Sequence, residues 1–288
     1  MTPRRLVYLG SPEAAVPPLR ALVGAGFEVA LVVSQPDRKR GRGGALVPSP
    51  VKAAAFELGL PVTDRVDDVL DTDADLGVVV AFGKLIKPPV LERVPMVNMH
   101  FSLLPRWRGA APVERAILAG DAETGVVIMH LEEGLDTGPV HAEVRVAIEP
   151  GETAEALRAR LVAIGSQLLV DTLAAGLGVP RPQSGAPTYA AKLDPSEFEI
   201  DWTRPAAELV RLVRIGRAWT EFRGRRLKVL DAREATSGSA PGTLDGVIVG
   251  TGAGGIELLT VQPEGKGPQP AGAWRNGARP DPGERLGR

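Results

Sequence analysis

The chain has 288 residues, 44% of them hydrophobic and 24% charged, with a formal net charge of −1. This balance excludes a disordered tail, a collagen-like fibre and a coiled-coil rod. The absence of cysteine excludes a disulfide scaffold, a thiol nucleophile and any Cys-ligated zinc or iron–sulfur site, and three histidines (His100, His130, His141) leave little room for a His-rich metal site, so no metal is expected.

From the N-terminus, the Leu6–Gly10 run predicts a buried strand, followed by a Ser-Pro turn and a helix over Val16–Val23. The Leu6–Leu9 stretch is far shorter than the ~7–15 residues of a signal-peptide core. No apolar run approaches the ~18 residues of a membrane span, so a cytoplasmic protein with no membrane partner is expected. Glu28–Ser34 predicts a second strand, Gln35–Pro50 a loop rich in Pro, Gly and Arg, Val51–Leu60 a helix and Asp75–Phe82 a third strand. Strands alternating with helices imply an α/β fold, a doubly wound and mostly parallel sheet whose ligands bind beyond the carboxyl ends of the strands. Met96–Ser102, Gly125–Leu131 and Pro139–Ile148 predict further strands, the last two as a pair joined by Glu132–Gly138. Thr153 is a candidate N-cap for a long helix over Ala154–Leu177, whose Leu157, Leu161, Ile164, Leu168 and Leu169 form an apolar stripe.

Gly178–Leu193 is dominated by Pro, Gly and small polar residues and reads as a linker or wrapping segment. Beyond a short helix at Ala206–Val213 come short strands punctuated by Gly and Pro, at Arg226–Leu230, Gly246–Val249 and Gly255–Val261. They predict a smaller C-terminal β-barrel, OB-like in type. The expected division is a catalytic domain over 1–180, a linker over 181–203 and the barrel over 204–288. Residues 201–288 hold 14 Lys/Arg against 10 Asp/Glu, whereas the first 200 hold 20 against 25. A mildly basic small barrel is compatible with nucleic-acid contact.

Three constellations can carry chemistry. Asn98 and His100 lie two apart on a predicted strand and so share a face, just before a turn marked by Pro105 and Gly109. An amide donor stabilises a developing oxyanion and an imidazole moves a proton, which suits acyl transfer. The ordinary alternative is a half-buried histidine satisfied by backbone. Asp136, in the Gly134–Gly138 loop, can reach into a cleft and would favour an imidazolium if it met His100; otherwise it is a turn residue. Arg38, Lys39, Arg40 and Arg42 interleave with glycine in a loop that can order against phosphates, or else be a solvated charged loop. Gly250-Thr-Gly252-Ala-Gly254-Gly255 fits a dinucleotide pattern but precedes a strand-like run, so it reads as a hairpin turn.

The segment Asn98–Pro112, NMHFSLLPRWRGAAP, resembles the signature of the methionyl-tRNA formyltransferase family. The resemblance continues through Ala119–Gly125, Gly134–Gly138, Ser34–Lys52, Tyr189–Lys192, Ile200–Trp202 and Leu259–Glu264, nearly the whole chain. It implies Asn98, His100 and Asp136 as the catalytic trio and Ser102, Leu103, Leu104 and Pro105 as a tetrahydrofolate-binding segment. It also implies Arg38, Lys39, Arg40 and Arg42 as tRNA contacts, with Arg42 reading the acceptor end. The co-substrate would be 10-formyltetrahydrofolate, the acceptor methionyl initiator tRNA, and the enzyme a monomer. The chain departs from the family at Arg214–Trp219, where an Asn-Pro-Trp-Pro-Gly-like stretch is common, and at Phe101, where a small residue is common. The Asn-x-His motif is shared with formyltransferases acting on small amines (amino sugar nucleotides, purine precursors), which are the alternative. A non-enzymatic RNA-binding module is a third reading, and the intact trio counts against it.

Overall fold

In the computed structural model, which describes residues 2–40 and 44–287, the chain forms two compact units. The first comprises residues 1–113, 123–147 and 158–191; the second comprises 114–122, 148–157 and 192–288.

The first unit is built on strands β1 (Arg5–Gly10), β2 (Glu28–Val33), a hairpin of β3 (Arg38–Arg40) and β4 (Ala45–Val47), then β5 (Val62–Thr63), β6 (Leu76–Val80) and β7 (Met96–His100). Two-residue β8 (Arg108–Gly109) follows, then β9 (Glu123–His130), β10 (Val140–Ala147) and two-residue β11 (Tyr189–Ala190). Helices α1 (Val16–Gly24), α2 (Pro50–Glu57), α3 (Pro88–Arg93) and, from Arg158 on, α5 (Ala154–Ala175) belong with them, whereas α4 (Pro112–Ala119) falls in the second unit from Glu114. The seven-stranded sheet has the order β10-β9-β7-β6-β1-β2-β5. β1 pairs in parallel with β2 and β6, and β6 with β7; β9 and β10 run antiparallel. This confirms the mostly parallel α/β sheet expected from the alternation of strands and helices.

The β-branched runs form strands because both sheet faces are covered. In β1, Leu6, Val7, Tyr8 and Leu9 are fully buried, each such burial contributing about 1.5–3 kcal/mol. The Tyr8 hydroxyl donates to the Ala15 carbonyl at 2.6 Å, and burial raises its pKa. Helix α2 begins where Ser49 accepts the Lys52 amide at 3.1 Å and Pro50 occupies the first turn, so the helix starts at a cap inside the predicted loop. Within that loop Arg38, Lys39 and Arg40 form a strand, β3, which among the described residues pairs only with β4. Alternating charge and glycine give no apolar periodicity, which is why the sequence reads as a loop there.

The second unit contains α6 (Ala206–Arg214), β12 (Trp219–Phe222), β13 (Arg225–Ala235), β14 (Leu244–Asp245), β15 (Ile248–Gly250), β16 (Gly255–Pro263), β17 (Gln269–Pro270) and α7 (Ala271–Ala278). Its sheet is antiparallel, in the order β12-β13-β16-β15-β14, with β17 on β16. Among the described residues no ladder joins β12 to β14, so the strands expected to form a barrel make an antiparallel sheet, with closure into a barrel not established. Trp202, Leu209, Leu227, Val229 and Trp274 are among its buried core. Arg115 forms a two-bond ion pair with Glu197 (2.7 and 3.0 Å), and Arg211 donates to the Leu118 carbonyl at 3.1 Å. These bonds bring residues 114–122 into this unit. Gly250 and Gly255 face each other across the β15–β16 turn, so the dinucleotide-like pattern is a hairpin, as its context implies. The predicted linker divides at 191/192: residues 181–190 pair within the first unit, while Phe198, Ile200 and Trp202 are buried in the core of the second.

Among the described residues no helix is long and apolar enough to cross a membrane.

Candidate active site

A cleft of about 560 Å³ opens beyond the carboxyl ends of β6 and β7, where a ligand site of such a sheet belongs. Phe82, Ile86 and Leu131 are among its apolar walls, and Asn98, His100 and Asp136 line it together. Strand alternation turns Asn98 and His100 to the same face, while Val97 and Met99 are buried on the other.

The trio meets with specific geometry. Asn98 Nδ2 lies 3.4 Å from Asp136 Oδ1, a long hydrogen bond. The Gly109 amide donates to Asp136 Oδ2 at 2.8 Å. His100 Nδ1 stands 3.6 Å from Asp136 Oδ2, within ion-pair range and beyond hydrogen-bond range. His100 Nε2 is 2.9 Å from the Trp107 carbonyl. A carbonyl only accepts, so Nε2 carries the proton and Nδ1 is the nitrogen free to exchange one, with the carboxylate facing it. His100 is 5% and Asp136 8% exposed, so the charge on Asp136 acts with little solvent screening.

The loops that carry these groups are held in unusual conformations. Asp136 and Trp107 have φ of 49° and 63°, a region that non-glycine residues occupy at a cost and that clusters at functional sites. Gly109 has φ of 121°, and a Cβ there would come 2.8 Å from the Ala190 carbonyl oxygen. Segment 181–190 holds this arrangement from outside. Arg181 exchanges two 2.8 Å backbone bonds with Val140. Thr188 accepts the Trp107 amide through Oγ1 (2.9 Å) and the Arg108 amide through its carbonyl (2.9 Å). The Ala190 carbonyl accepts the amides of Ala110 and Ala111. Gln183 bonds Arg108 on one side and the carbonyls of Asp136 and Gly138 on the other. Sequence reasoning missed these supports: Gln183 and Thr188 sit in a Pro/Gly-rich stretch with no periodicity.

The expected folate segment lies beside the trio without lining the cleft by its side chains. Ser102 is fully buried and its hydroxyl donates to the Arg106 carbonyl at 2.6 Å. Leu104 packs against Val127, Met129 and Val140, and Pro105, after a cis peptide bond, accepts the Thr188 amide through its carbonyl at 3.2 Å. A Cβ on Gly125 would meet the Leu103 side chain, so Leu103 packs on β9. Arg38 and Lys39 are exposed on β3, Arg40 ends that strand, and Arg42 lies outside the described residues. The other two histidines, His130 and His141, stand 6.1 Å apart ring to ring and away from the cleft; burial lowers the pKa of His141. Among the described residues no cluster of three His, Asp or Glu can hold a metal.

Comparison with known proteins adds to this geometry. Residues 5–173 match the family model described as formyl transferase, and residues 192–279 match that of the formyl transferase C-terminal domain. A methionyl-tRNA formyltransferase of Roseobacter denitrificans is 46% identical over 95% of this chain and 96% of its own length. The N-formyltransferase of Helicobacter canadensis, solved with folinic acid and dTDP-3-aminofucose, shares the fold with a TM-score of 0.68 at 16% identity, over 90% of this chain and 99% of its own. HypX from Aquifex aeolicus, solved with tetrahydrofolic acid, has a TM-score of 0.65 at 14% identity; 96% of this chain spans 47% of that one.

Proposed function

The chain belongs to the formyl transferase family, and from that premise we propose that it transfers the formyl group of 10-formyltetrahydrofolate to the α-amino group of methionyl initiator tRNA. The observation that carries the reading is the meeting of Asn98, His100 and Asp136 on one cleft with apolar walls. Near-full-length similarity to a protein named for this activity, including the second unit, supports the tRNA acceptor over a small amine.

The free amine of the esterified methionine attacks the formyl carbon. Asn98 directs one N–H of its amide to Asp136 and has the other for the oxyanion of the tetrahedral intermediate, a contribution of roughly 3–4 kcal/mol for such donors. His100 takes the proton of the attacking nitrogen at Nδ1, and the carboxylate of Asp136 stabilises the imidazolium formed. The same proton then passes to N10 of the folate as the C–N10 bond breaks. New N–C bond, broken C–N10 bond and relayed proton balance, and no metal enters the reaction. The cleft holds the ring system of the folate against Phe82, Ile86 and Leu131, and the turn Ser102–Pro105, which is not among the residues lining it, keeps its folate role from the resemblance alone. Arg38, Lys39, Arg40 and Arg42 contact tRNA phosphates, and the enzyme works in the cytoplasm as a monomer.

The test is direct. Incubation with 10-formyltetrahydrofolate and charged initiator tRNA should yield N-formylmethionine by mass analysis of the released amino acid. Unmodified methionine, with formylation of an amino sugar nucleotide or a purine precursor amine instead, would transfer the assignment to the alternative acceptor. Arg42→Ala should weaken tRNA use and spare folate affinity; a changed folate affinity would refute the role given to that loop.

A further inference from the structure

We propose that Gln183, anchored by Arg108, is a positioning residue that clamps the Asp136 loop to the His100 loop, so that the segment reading as a linker is part of the catalytic apparatus. The inference rests on the catalytic role proposed for Asp136 and extends it to a residue that touches neither substrate.

Gln183 satisfies all the hydrogen-bonding capacity of its amide across two loops. Its Nε2 donates to the carbonyls of Asp136 and Gly138, both at 2.8 Å. Its Oε1 accepts from Arg108 Nε at 3.1 Å and Nη2 at 2.6 Å. A guanidinium only donates, so Arg108 dictates which end of the amide faces it, and the two N–H groups are thereby aimed at the Asp136 loop. Asp136 has a positive φ, a conformation that persists only where the surroundings over-determine it. The Gln183 bond to its carbonyl and the Gly109 bond to its carboxylate supply that restraint from both ends of the residue. In residues 181–189 the side chains are exposed except for Gln183 and Thr188, the two whose polar side-chain atoms hold the loops. The register of the strap is independently set by the Val140–Arg181 bridge and the β8–β11 pairing on either side of Gln183.

Gln183→Leu and Gln183→Glu separate the parts of the clamp. Leucine removes all four bonds; glutamate keeps the acceptor toward Arg108 and removes both donors. Both variants should lose kcat about 10²-fold, the cost of a small misplacement of a reacting group. KM for either substrate should stay within about threefold, as for a group that acts only on the chemical step. In an Asp136→Asn background the same substitutions should cost less than about threefold, because a residue acting through Asp136 has nothing left to position. Independently of activity, exchange of the Gly109 amide should speed about tenfold while amides of β9 stay protected. A multiplicative loss in the Asp136→Asn background, a fully active Gln183→Glu or unchanged Gly109 exchange would overturn the clamp. Should the leucine variant not fold, the glutamate variant, which retains the Arg108 pairing, carries the same measurements. A wild-type protein that formylates nothing would instead refute the activity, and the exchange data would then decide the clamp.

Discussion

Two of the segments that carry polar signals in the sequence, 98–111 and the basic one, are built in opposite ways. The 98–111 segment is tied at nearly every residue: His100 to Trp107, Trp107 and Arg108 to Thr188, Gly109 to Asp136, Ala110 and Ala111 to Ala190. The basic segment is a hairpin of two three-residue strands, with Arg38 and Lys39 exposed and Leu46 65% exposed; its base is pinned by the 2.7 Å Lys52–Asp37 pair and the Gln35 bond to the Phe82 carbonyl. A two-stranded hairpin has little stability of its own. The contrast fits the two tasks proposed for these segments: chemistry gains from donors fixed before the substrate arrives, while a surface for a phosphate backbone gains from charges that can adapt to it.

Substitutions can break that contrast at either end. The largest effect is expected at Asp136→Asn, which keeps shape and removes charge: kcat should fall about 10³-fold with tRNA affinity unchanged, measured by formylation kinetics beside filter binding. Wild-type turnover would leave Asp136 as a turn residue. Asn98→Ala should lower kcat about 10²–10³-fold with little change in KM, the pattern of a donor used only in the transition state. At the other loop, replacing Arg38 and Lys39 together by alanine should raise KM for tRNA about tenfold and flatten its salt dependence, leaving folate KM alone. A kcat loss there without a change in salt slope would place the hairpin in the chemistry and erase the contrast. Gly109→Ala tests rigidity itself: left-handed strain and the approach to the Ala190 carbonyl should cost about 2 kcal/mol of stability, read as a lowered Tm. Gly44→Ala, at φ 63° in the hairpin and with its Cβ in ordinary contact with the Lys39 side chain at 3.9 Å, should cost about 1 kcal/mol and leave kcat unchanged.

Legibility of the elements followed the kind of information each needs. β1, β2 and β6 are runs of β-branched and aliphatic residues that have one good use, burial in a covered sheet, and they lie where the sequence places them. α7 went unread because Gly272 and Gly277 give AGAWRNGA poor helix propensity; the buried Trp274 side chain holds it in the sheet's core instead. The two-residue strands β8 and β11 have no periodicity at all, being backbone pairings between residues some eighty positions apart.

The sequence by itself determined the inventory: an amide and an imidazole on one strand face, a carboxylate between glycines, a basic loop, and an α/β order of elements followed by short strands. Those follow from residue chemistry and local periodicity, which are properties of neighbours in the chain. Only the tertiary structure decided that Asp136 faces His100 across 3.6 Å, that Nδ1 rather than Nε2 is the nitrogen facing it, and that Gln183 bridges both loops. Each of these depends on where distant backbone groups point, and a carbonyl at Trp107 or Gly138 is chemically the same as any other until the fold aims it.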